Sequence, residues 1–144
     1  MNPNKKRLRR TMMFLNCQKP GLIKDPYIYK PDSIMLDLED AVAEKEKDAA
    51  RYSLFHALRE IDYHGVETVV RINGLDTPYW KEDIRCAVAG GCDSIRIPKT
   101  ESAKDVHMVE EAVADQVKVR IFVYNTYQVF LCIPAVTEDD HIFL

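Results

Sequence analysis

The sequence predicts an α/β fold built on a parallel sheet. Short apolar segments of strand length recur along the chain, and amphipathic segments of helix length separate them. Strands and helices that alternate about every 25–35 residues are typical of βαβ units, whose strands are parallel. The composition agrees, because 144 residues with 47% hydrophobic and 30% charged side chains suffice for one globular domain and are too few for two.

Five segments are predicted as strands of this sheet. Each is short and rich in apolar or β-branched residues, which is the pattern of strands buried on both faces. They are residues 11–15, 33–38, 68–72, 94–97 and 117–123. The pattern leaves open whether the sheet is doubly wound or closes into a barrel. In both folds, ligands bind at the carboxyl ends of the strands.

Three segments between the strands are predicted as helices. The first, residues 44–61, has one apolar face and a charged face that is expected in water. That charged face consists of Glu44, Lys47, Asp48 and Arg51. The second helix, residues 80–89, is followed by two glycines that tolerate a left-handed cap. The third begins at Ser102, where Asp105 three residues later predicts a capping box.

The charge and composition exclude several classes of partner. Lys and Arg total 20 and Asp and Glu total 23, and this net charge of −3 gives no reason to expect nucleic acid or an anionic membrane. No run of about 18 apolar residues is present, so no membrane span is predicted. The cysteines form no C-x-x-C pair, and we expect free thiols of a cytoplasmic protein. They are Cys17, Cys86, Cys92 and Cys132.

Charged and polar side chains follow the second, third and fourth predicted strands. They are Asp37, Glu39 and Asp40, then Arg71 and Asn73, then Arg96 and Lys99. Because the carboxyl ends of parallel strands meet at one edge, these side chains should converge on one rim. A guanidinium there can bind a carboxylate through two hydrogen bonds, and carboxylates can hold Mg²⁺ or its waters. The rim therefore suits a metal-assisted reaction on a small dicarboxylic or keto acid.

Several of these residues also have a structural interpretation. Arg71 could form a structural ion pair, and its spacing leaves that role and substrate binding equally open. Asp40 is expected to cap the next helix, and Lys99, which follows Pro98 in a turn, could be only a solvated charge. No Gly-rich phosphate loop is present, so no nucleotide cofactor is expected. The histidines lack a nucleophile motif and are expected at the surface: His56, His64, His107 and His141.

Five blocks carry a family resemblance. They read RLRRTMMF at 7–14, DSIMLDLEDAV at 32–42, KDAAR at 47–51, ETVVRINGLD at 67–76 and IRIPKTE at 95–101. In this order the blocks resemble the citrate lyase beta subunits of the HpcH/HpaI aldolase and citrate lyase family. The resemblance implies the N-terminal portion of a TIM (β/α)8 barrel. It divides the chain into a partial barrel domain, residues 1–113, and a divergent C-terminal tail, residues 114–144.

The resemblance implies a Mg²⁺-dependent carbon–carbon lyase. Its substrate would be a citryl thioester on an acyl carrier, and its products would be the acetyl-carrier and oxaloacetate. Arg71 matches the arginine that binds the substrate's carboxylates, while Asp37 and Glu39 match acidic residues that support the metal without binding it directly. The implied partners are the citrate lyase alpha and acyl-carrier (gamma) subunits, within an oligomer. Nothing in the sequence identifies the general base.

The chain departs from the family pattern at two places. The first loop, residues 16–21, lacks the usual Val-Pro-Gly turn. The family's two metal ligands are also missing, because residues 122–125 contain no carboxylate where the Glu should stand, and the Asp falls beyond the resemblance. The acidic residues 138–140 are assigned to solvent. We therefore expect a truncated barrel with an incomplete metal site, which self-associates and does not cleave the thioester.

Three functions are compatible with the sequence. The first is that of a citrate lyase beta subunit, which the block at residues 7–14 favours. The second is a sister activity of the same family, a malyl- or citramalyl-thioester lyase. The third is a non-catalytic fragment that binds partner subunits, and the missing metal carboxylates favour it.

Overall fold

The computed structural model describes residues 9–114, 120–124 and 130–133, and within them six strands form one sheet in chain order. The strands are β1 Met12–Asn16, β2 Ser33–Asp37, β3 Glu67–Arg71, β4 Ser94–Ile97, β5 Arg120–Tyr124 and β6 Phe130–Ile133. The first five are mutually parallel, which confirms the predicted parallel α/β sheet. Strand β6, which was not predicted, runs antiparallel to β5.

In the described connections between the strands lie four α-helices. They are α1 Pro20–Ile23, α2 Lys47–Glu60, α3 Trp80–Gly90 and α4 Ala103–Ala114, with 3₁₀ turns at Pro26–Tyr29 and Glu44–Glu46. The glycine stop is confirmed, since Gly91 has φ +90° and its N–H donates to the carbonyls of Ala87 and Val88. The α4 cap is confirmed as well, because Asp105 accepts the N–H of Ser102.

The helices cover one face of the sheet, and the main hydrophobic core lies between the helices and that face. Alternate residues of the strands, such as Leu36, Val70 and Ile95, point into this core and are fully buried. The other face carries a smaller apolar cluster of Met35 and Val69. Polar side chains flank that cluster on the same face. The charged side chains of β2, β3 and β4 therefore lie on the face away from the main core.

Two sequence predictions about the region between β2 and α2 are wrong. Lys47 was expected in water but is only 8% exposed, because its ammonium is bound by backbone carbonyls of the β2–α2 loop. Asp40 does not cap a helix, because the Glu44–Glu46 turn precedes α2 and no side chain caps either element. Asp40 is instead an exposed residue at the rim.

Other expectations fall partly or wholly outside the described residues. The predicted fifth strand, residues 117–123, is described from Arg120 to Tyr124, and residues 115–119 are not described. His141 and the acidic residues 138–140 also lie outside the described part. The division between residues 1–113 and 114–144 stays a prediction. None of the described helices is long and apolar enough to cross a membrane.

Candidate functional site

Three strand ends bring an acid and two guanidinium groups into one row. Asp37, Arg71 and Arg96 are register partners on β2, β3 and β4, and they lie on the sheet face away from the main core. Side chains that are opposite one another in neighbouring strands are close enough to interact directly. The predicted convergence of these residues at the carboxyl edge of the sheet is therefore confirmed.

Arg71 is the centre of this rim. Its Nε and Nη2 donate to the two carboxylate oxygens of Asp37 at 2.8 and 2.6 Å, and its Nη1 lies 2.8 Å from Glu39 Oε2. The Asp40 carboxylate is farther away, at 3.6 Å. Burial lowers the pKa of Arg71, but the bond to Asp37 and the nearby acids outweigh this effect and raise it above its ordinary value. The guanidinium is thus a fixed, permanently charged group.

Asp37 is held from two directions. Besides Arg71, its oxygens accept the backbone N–H groups of Glu39 at 2.9 Å and Ala41 at 3.3 Å. The carboxylate is buried, so all of its bonds are made within the protein. The β2–α2 loop therefore wraps around the same carboxylate that orients Arg71.

Glu39 connects Arg71 to Lys99. Its carboxylate is buried, with Oε2 facing Arg71 and Oε1 lying 3.2 Å from Lys99 Nζ. Among the described residues, no well-directed hydrogen bond is donated to Oε1. The contact between Lys99 and Oε1 is therefore an ion pair without an aligned N–H donor. Lys99 is 74% exposed, yet it is more than a solvated charge, because Glu39 pairs with its ammonium and raises the pKa of Lys99.

Phe14 forms an apolar side of the rim that sequence reasoning missed. Its ring centroid lies 5.6 Å from the guanidinium carbon of Arg71 and 5.4 Å from that of Arg96. A guanidinium at this distance from an aromatic face is attracted to it. Phe14 is nevertheless 53% exposed, which is unusual for a strand aromatic in a parallel sheet. Alternation along β1 could have found it, because it places Phe14 on the face that Asp37 shares.

Asn73 belongs to a buried cluster beneath the rim. The fully buried Asp83 accepts both the backbone and the side-chain N–H of Asn73, at 2.8 and 2.6 Å. Its other oxygen accepts Arg51 Nη1 at 2.9 Å. Arg51 was predicted in water, and this ion pair explains why it is largely buried. The cluster fixes the β3–α3 loop that follows Arg71, and it does not present Asn73 to a ligand.

The described residues do not fit a directly bound Mg²⁺. Among them, no group of three or more His, Cys, Asp or Glu side chains is placed to hold a metal ion. Both oxygens of Asp37 are occupied by Arg71 and backbone N–H groups, and the oxygens of Glu39 face Arg71 and Lys99. Strand β5 ends without a carboxylate. The supporting role of Asp37 and Glu39 beside a metal stays a prediction.

The histidines and cysteines of the described part take no part in the rim. His56, His64 and His107 are exposed, as predicted. Cys17, Cys86 and Cys92 are free thiols, also as predicted. Burial raises the pKa of Cys86 to about 11 and that of Cys92 to about 12, so neither is a reactive thiolate.

This fold and rim are those of a parallel α/β protein with a fixed guanidinium among carboxylates at its strand ends. The chain belongs to the HpcH/HpaI aldolase/citrate lyase family, whose model matches residues 10–133. It is similar to the citrate lyase subunit beta of Leuconostoc mesenteroides subsp. cremoris, with 52% identity over 115 residues, which are 80% of this chain and 38% of that subunit. It is also similar to the L-malyl-CoA/beta-methylmalyl-CoA lyase of Rhodobacter capsulatus, with 38% identity over 77% of this chain and 36% of that enzyme.

Solved structures give the same family. A citrate lyase beta subunit from M. tuberculosis, complexed with oxaloacetate and magnesium, has 28% identity and a TM-score of 0.58. The match covers 80% of this chain and 48% of that one. These relatives are TIM-barrel proteins, so the sheet described above corresponds to part of a barrel. The chain spans less than half the length of each of these relatives.

Proposed function

We propose that this chain contributes the carboxylate-binding part of a citrate lyase beta-type active site. In this proposal Arg71 binds a carboxylate of a citryl thioester carried on an acyl carrier, and cleavage gives the acetyl-carrier and oxaloacetate. One observation carries the proposal: the guanidinium of Arg71 is fixed by Asp37 and Glu39 at the carboxyl edge of the sheet. The alpha and acyl-carrier subunits as partners, the oligomer and a cytoplasmic location belong to the same proposal.

The hydrogen-bond count at Arg71 is compatible with a further carboxylate. A guanidinium has five N–H groups. Asp37 takes two of them as hydrogen bonds, and Glu39 lies 2.8 Å from Nη1 as an ion pair, so N–H groups on both Nη1 and Nη2 stay available. These are as many as a bidentate carboxylate needs. The side chain is 16% exposed, so solvent reaches part of it.

Charge alone would not attract the substrate to this rim. Arg71, Arg96 and Lys99 stand beside the three acids Asp37, Glu39 and Asp40. Recognition would therefore depend on directed N–H groups and on the apolar face of Phe14. Cleavage breaks the bond between the hydroxyl-bearing carbon and the thioester's α-carbon, while the hydroxyl gives its proton to a base and becomes the keto group of oxaloacetate. The electron pair of the broken bond passes to the thioester enolate, which takes up a proton to give the acetyl-carrier. Arg71 would hold the oxaloacetate half in place as this bond breaks.

Two alternatives remain. A malyl- or citramalyl-thioester lyase is favoured by the similarity to the Rhodobacter capsulatus enzyme. A non-catalytic fragment that binds partner subunits is favoured by the poor fit of the described residues to a metal. The greater identity to the Leuconostoc mesenteroides subunit supports the citryl substrate over the malyl one.

A chimera tests the proposal. The matching segment of the Leuconostoc mesenteroides subunit is replaced by this chain's residues 10–114, and cleavage of citryl and malyl thioesters is measured. The proposal predicts oxaloacetate release from the citryl thioester and a sharp loss in the Arg71→Lys chimera. Preference for the malyl thioester would support the sister activity, and a folded chimera without either activity would contradict a catalytic role.

A further inference from the structure

The buried ammonium of Lys47 is the feature of this molecule that the proposed chemistry leaves unexplained. Lys47 is the first residue of α2, and its Nζ lies 2.7 Å from the carbonyl oxygen of Leu38 and 2.7 Å from that of Glu39. A lysine is rarely buried without such partners. These two carbonyls therefore account for its position inside the protein.

The placement of Lys47 is unfavourable for the helix itself. The N-terminus of a helix carries a partial positive charge, which repels a cation. Removing the ammonium from water adds a second cost, and this burial lowers the pKa of Lys47 despite nearby acids that act in the opposite direction. The helix would be more stable with a neutral or acidic residue at this position. The benefit of Lys47 must therefore lie in the loop that it binds.

Lys47 binds the two peptide groups that flank the α-carbon of Glu39. The first contains the Leu38 carbonyl and the Glu39 N–H, and the second contains the Glu39 carbonyl. The Glu39 N–H of the first peptide donates to Asp37 Oδ1 at 2.9 Å. With both peptides held by Lys47, the backbone dihedral angles of Glu39 are fixed, and so is the direction in which its side chain leaves the loop.

The direction of the Glu39 side chain determines the surroundings of Arg71. Glu39 is 6% exposed, and its Oε2 lies 2.8 Å from Arg71 Nη1, the nitrogen that Asp37 does not contact. Asp37 alone would hold one edge of the guanidinium. Glu39 holds the opposite end, so rotation of the loop at Glu39 would break the ion pair at Nη1.

We propose that Lys47 is a positioning residue, which acts through the loop and Glu39 to hold the Arg71 guanidinium in the orientation that binds a substrate carboxylate. This inference rests on the proposed function, because it assumes that Arg71 binds a carboxylate. Lys47 itself touches no substrate. It would affect affinity only as long as Glu39 is present to transmit its effect.

The test measures oxaloacetate binding to the 144-residue chain by calorimetry, together with the NMR resonance of the Arg71 Nε–H. Lys47→Met keeps the length and the apolar stem of the side chain but removes the charge. We expect it to weaken oxaloacetate binding about tenfold, the scale on which outer partners of a binding group act. Lys45→Met is the matched control, since Lys45 is exposed in the preceding turn and should leave binding unchanged.

A double-mutant cycle separates positioning from a general structural role. In a Glu39→Gln background, Lys47→Met should change the affinity by less than about twofold, because the path to Arg71 is already broken. An equal loss of affinity in both backgrounds would overturn the proposal, and so would an unchanged affinity of Lys47→Met alone. If Lys47→Met does not fold, Lys47→Arg replaces it. The guanidinium of this variant can donate to both carbonyls but cannot occupy the position of the ammonium.

The NMR resonance of the Arg71 Nε–H tests the positioning role of Lys47 independently of the proposed function. If the wild-type chain does not bind oxaloacetate, the proposed function fails, and the Arg71 Nε–H resonance then tests the positioning role by itself. The same displacement of that resonance in Lys47→Met and in Glu39→Gln would support positioning. An unchanged resonance in Lys47→Met would contradict it.

Discussion

Asp37 and Arg71 are register partners on neighbouring parallel strands, and their side chains form a bidentate ion pair with N–O distances of 2.8 and 2.6 Å. Pairs of this kind fix a guanidinium in one plane. The same Asp37 accepts two N–H groups of the following loop. A single buried carboxylate therefore links the β2–α2 loop to the arginine on β3.

Removing Asp37 should be costly for the fold. Asp37→Ala leaves Arg71 partly buried without its main partner and two loop N–H groups without an acceptor. Loss of one member of a buried pair costs about 3–5 kcal/mol, and we expect urea unfolding to show a decrease near the lower end of that range. Asp40→Ala, at an exposed position of the same loop, is the control and should change the free energy of unfolding by less than about 0.5 kcal/mol. Equal effects of the two substitutions would contradict this account.

Asp37 and Glu39 are also predicted to support a metal without binding it. In the chimera with the Leuconostoc mesenteroides subunit, Asp37→Asn combined with Glu39→Gln should reduce the apparent Mg²⁺ affinity by about 10–100-fold, as for other outer partners of metal sites. The readout is a Mg²⁺ titration by calorimetry, which does not depend on turnover. An unaltered titration with a folded double variant would exclude this role.

The partly buried thiol of Cys86 should react slowly in the folded chain. Burial raises the pKa of Cys86 to about 11, and its Sγ lies 3.1 Å from the carbonyl oxygen of Arg51. An unperturbed thiol has a pKa of about 8.5, so the thiolate fraction at pH 8 should fall about 200-fold on folding. Iodoacetamide labelling followed by peptide mass spectrometry, with and without urea, measures this ratio. Rapid labelling of Cys86 in the native chain would contradict its burial.

Burial of Cys92 gives the free energy of unfolding a defined pH dependence. Because the pKa of Cys92 is raised to about 12 in the folded chain, the folded state keeps a proton that the unfolded state releases above about pH 8.5. Its contribution to stability is therefore present below pH 8.5 and is lost as the pH rises toward 12. Between pH 8 and 10, the wild type should lose up to about 2 kcal/mol more than Cys92→Ala. Parallel pH profiles of the two proteins would refute this prediction.

Much of the fold and part of the site can be predicted from the sequence, because they follow from general rules of backbone structure. Apolar segments and turn residues locate the strands and the stop at Gly91, and parallel pairing then brings Asp37, Arg71 and Arg96 to one edge. The short helix α1 was missed because four residues are too few to show a helical period. The resemblance marks Arg71, Asp37 and Glu39, but it contains no information about their mutual hydrogen bonds.

The residues that sequence analysis placed wrongly are those whose environment comes from distant parts of the chain. Lys47 lies on the polar side of its helix pattern, yet carbonyls eight and nine residues earlier bind it inside the protein. Arg51 is buried because Asp83, 32 residues later, accepts its guanidinium. Phe14 is exposed although it lies in a strand. For Lys47 and Arg51, a tertiary contact outweighed the local pattern.

The most direct test of the account is oxaloacetate binding to the wild-type chain and to Arg71→Lys, measured by calorimetry at one ionic strength. Lysine keeps the charge but cannot bind Asp37, Glu39 and a carboxylate with one planar group. Arg85→Lys, at an exposed position on α3, is the matched control. We predict measurable binding by the wild type and by Arg85→Lys, and a loss of at least about tenfold in Arg71→Lys. Equal affinity of the wild type and a folded Arg71→Lys would show that Arg71 is only a structural residue and would contradict the central claim.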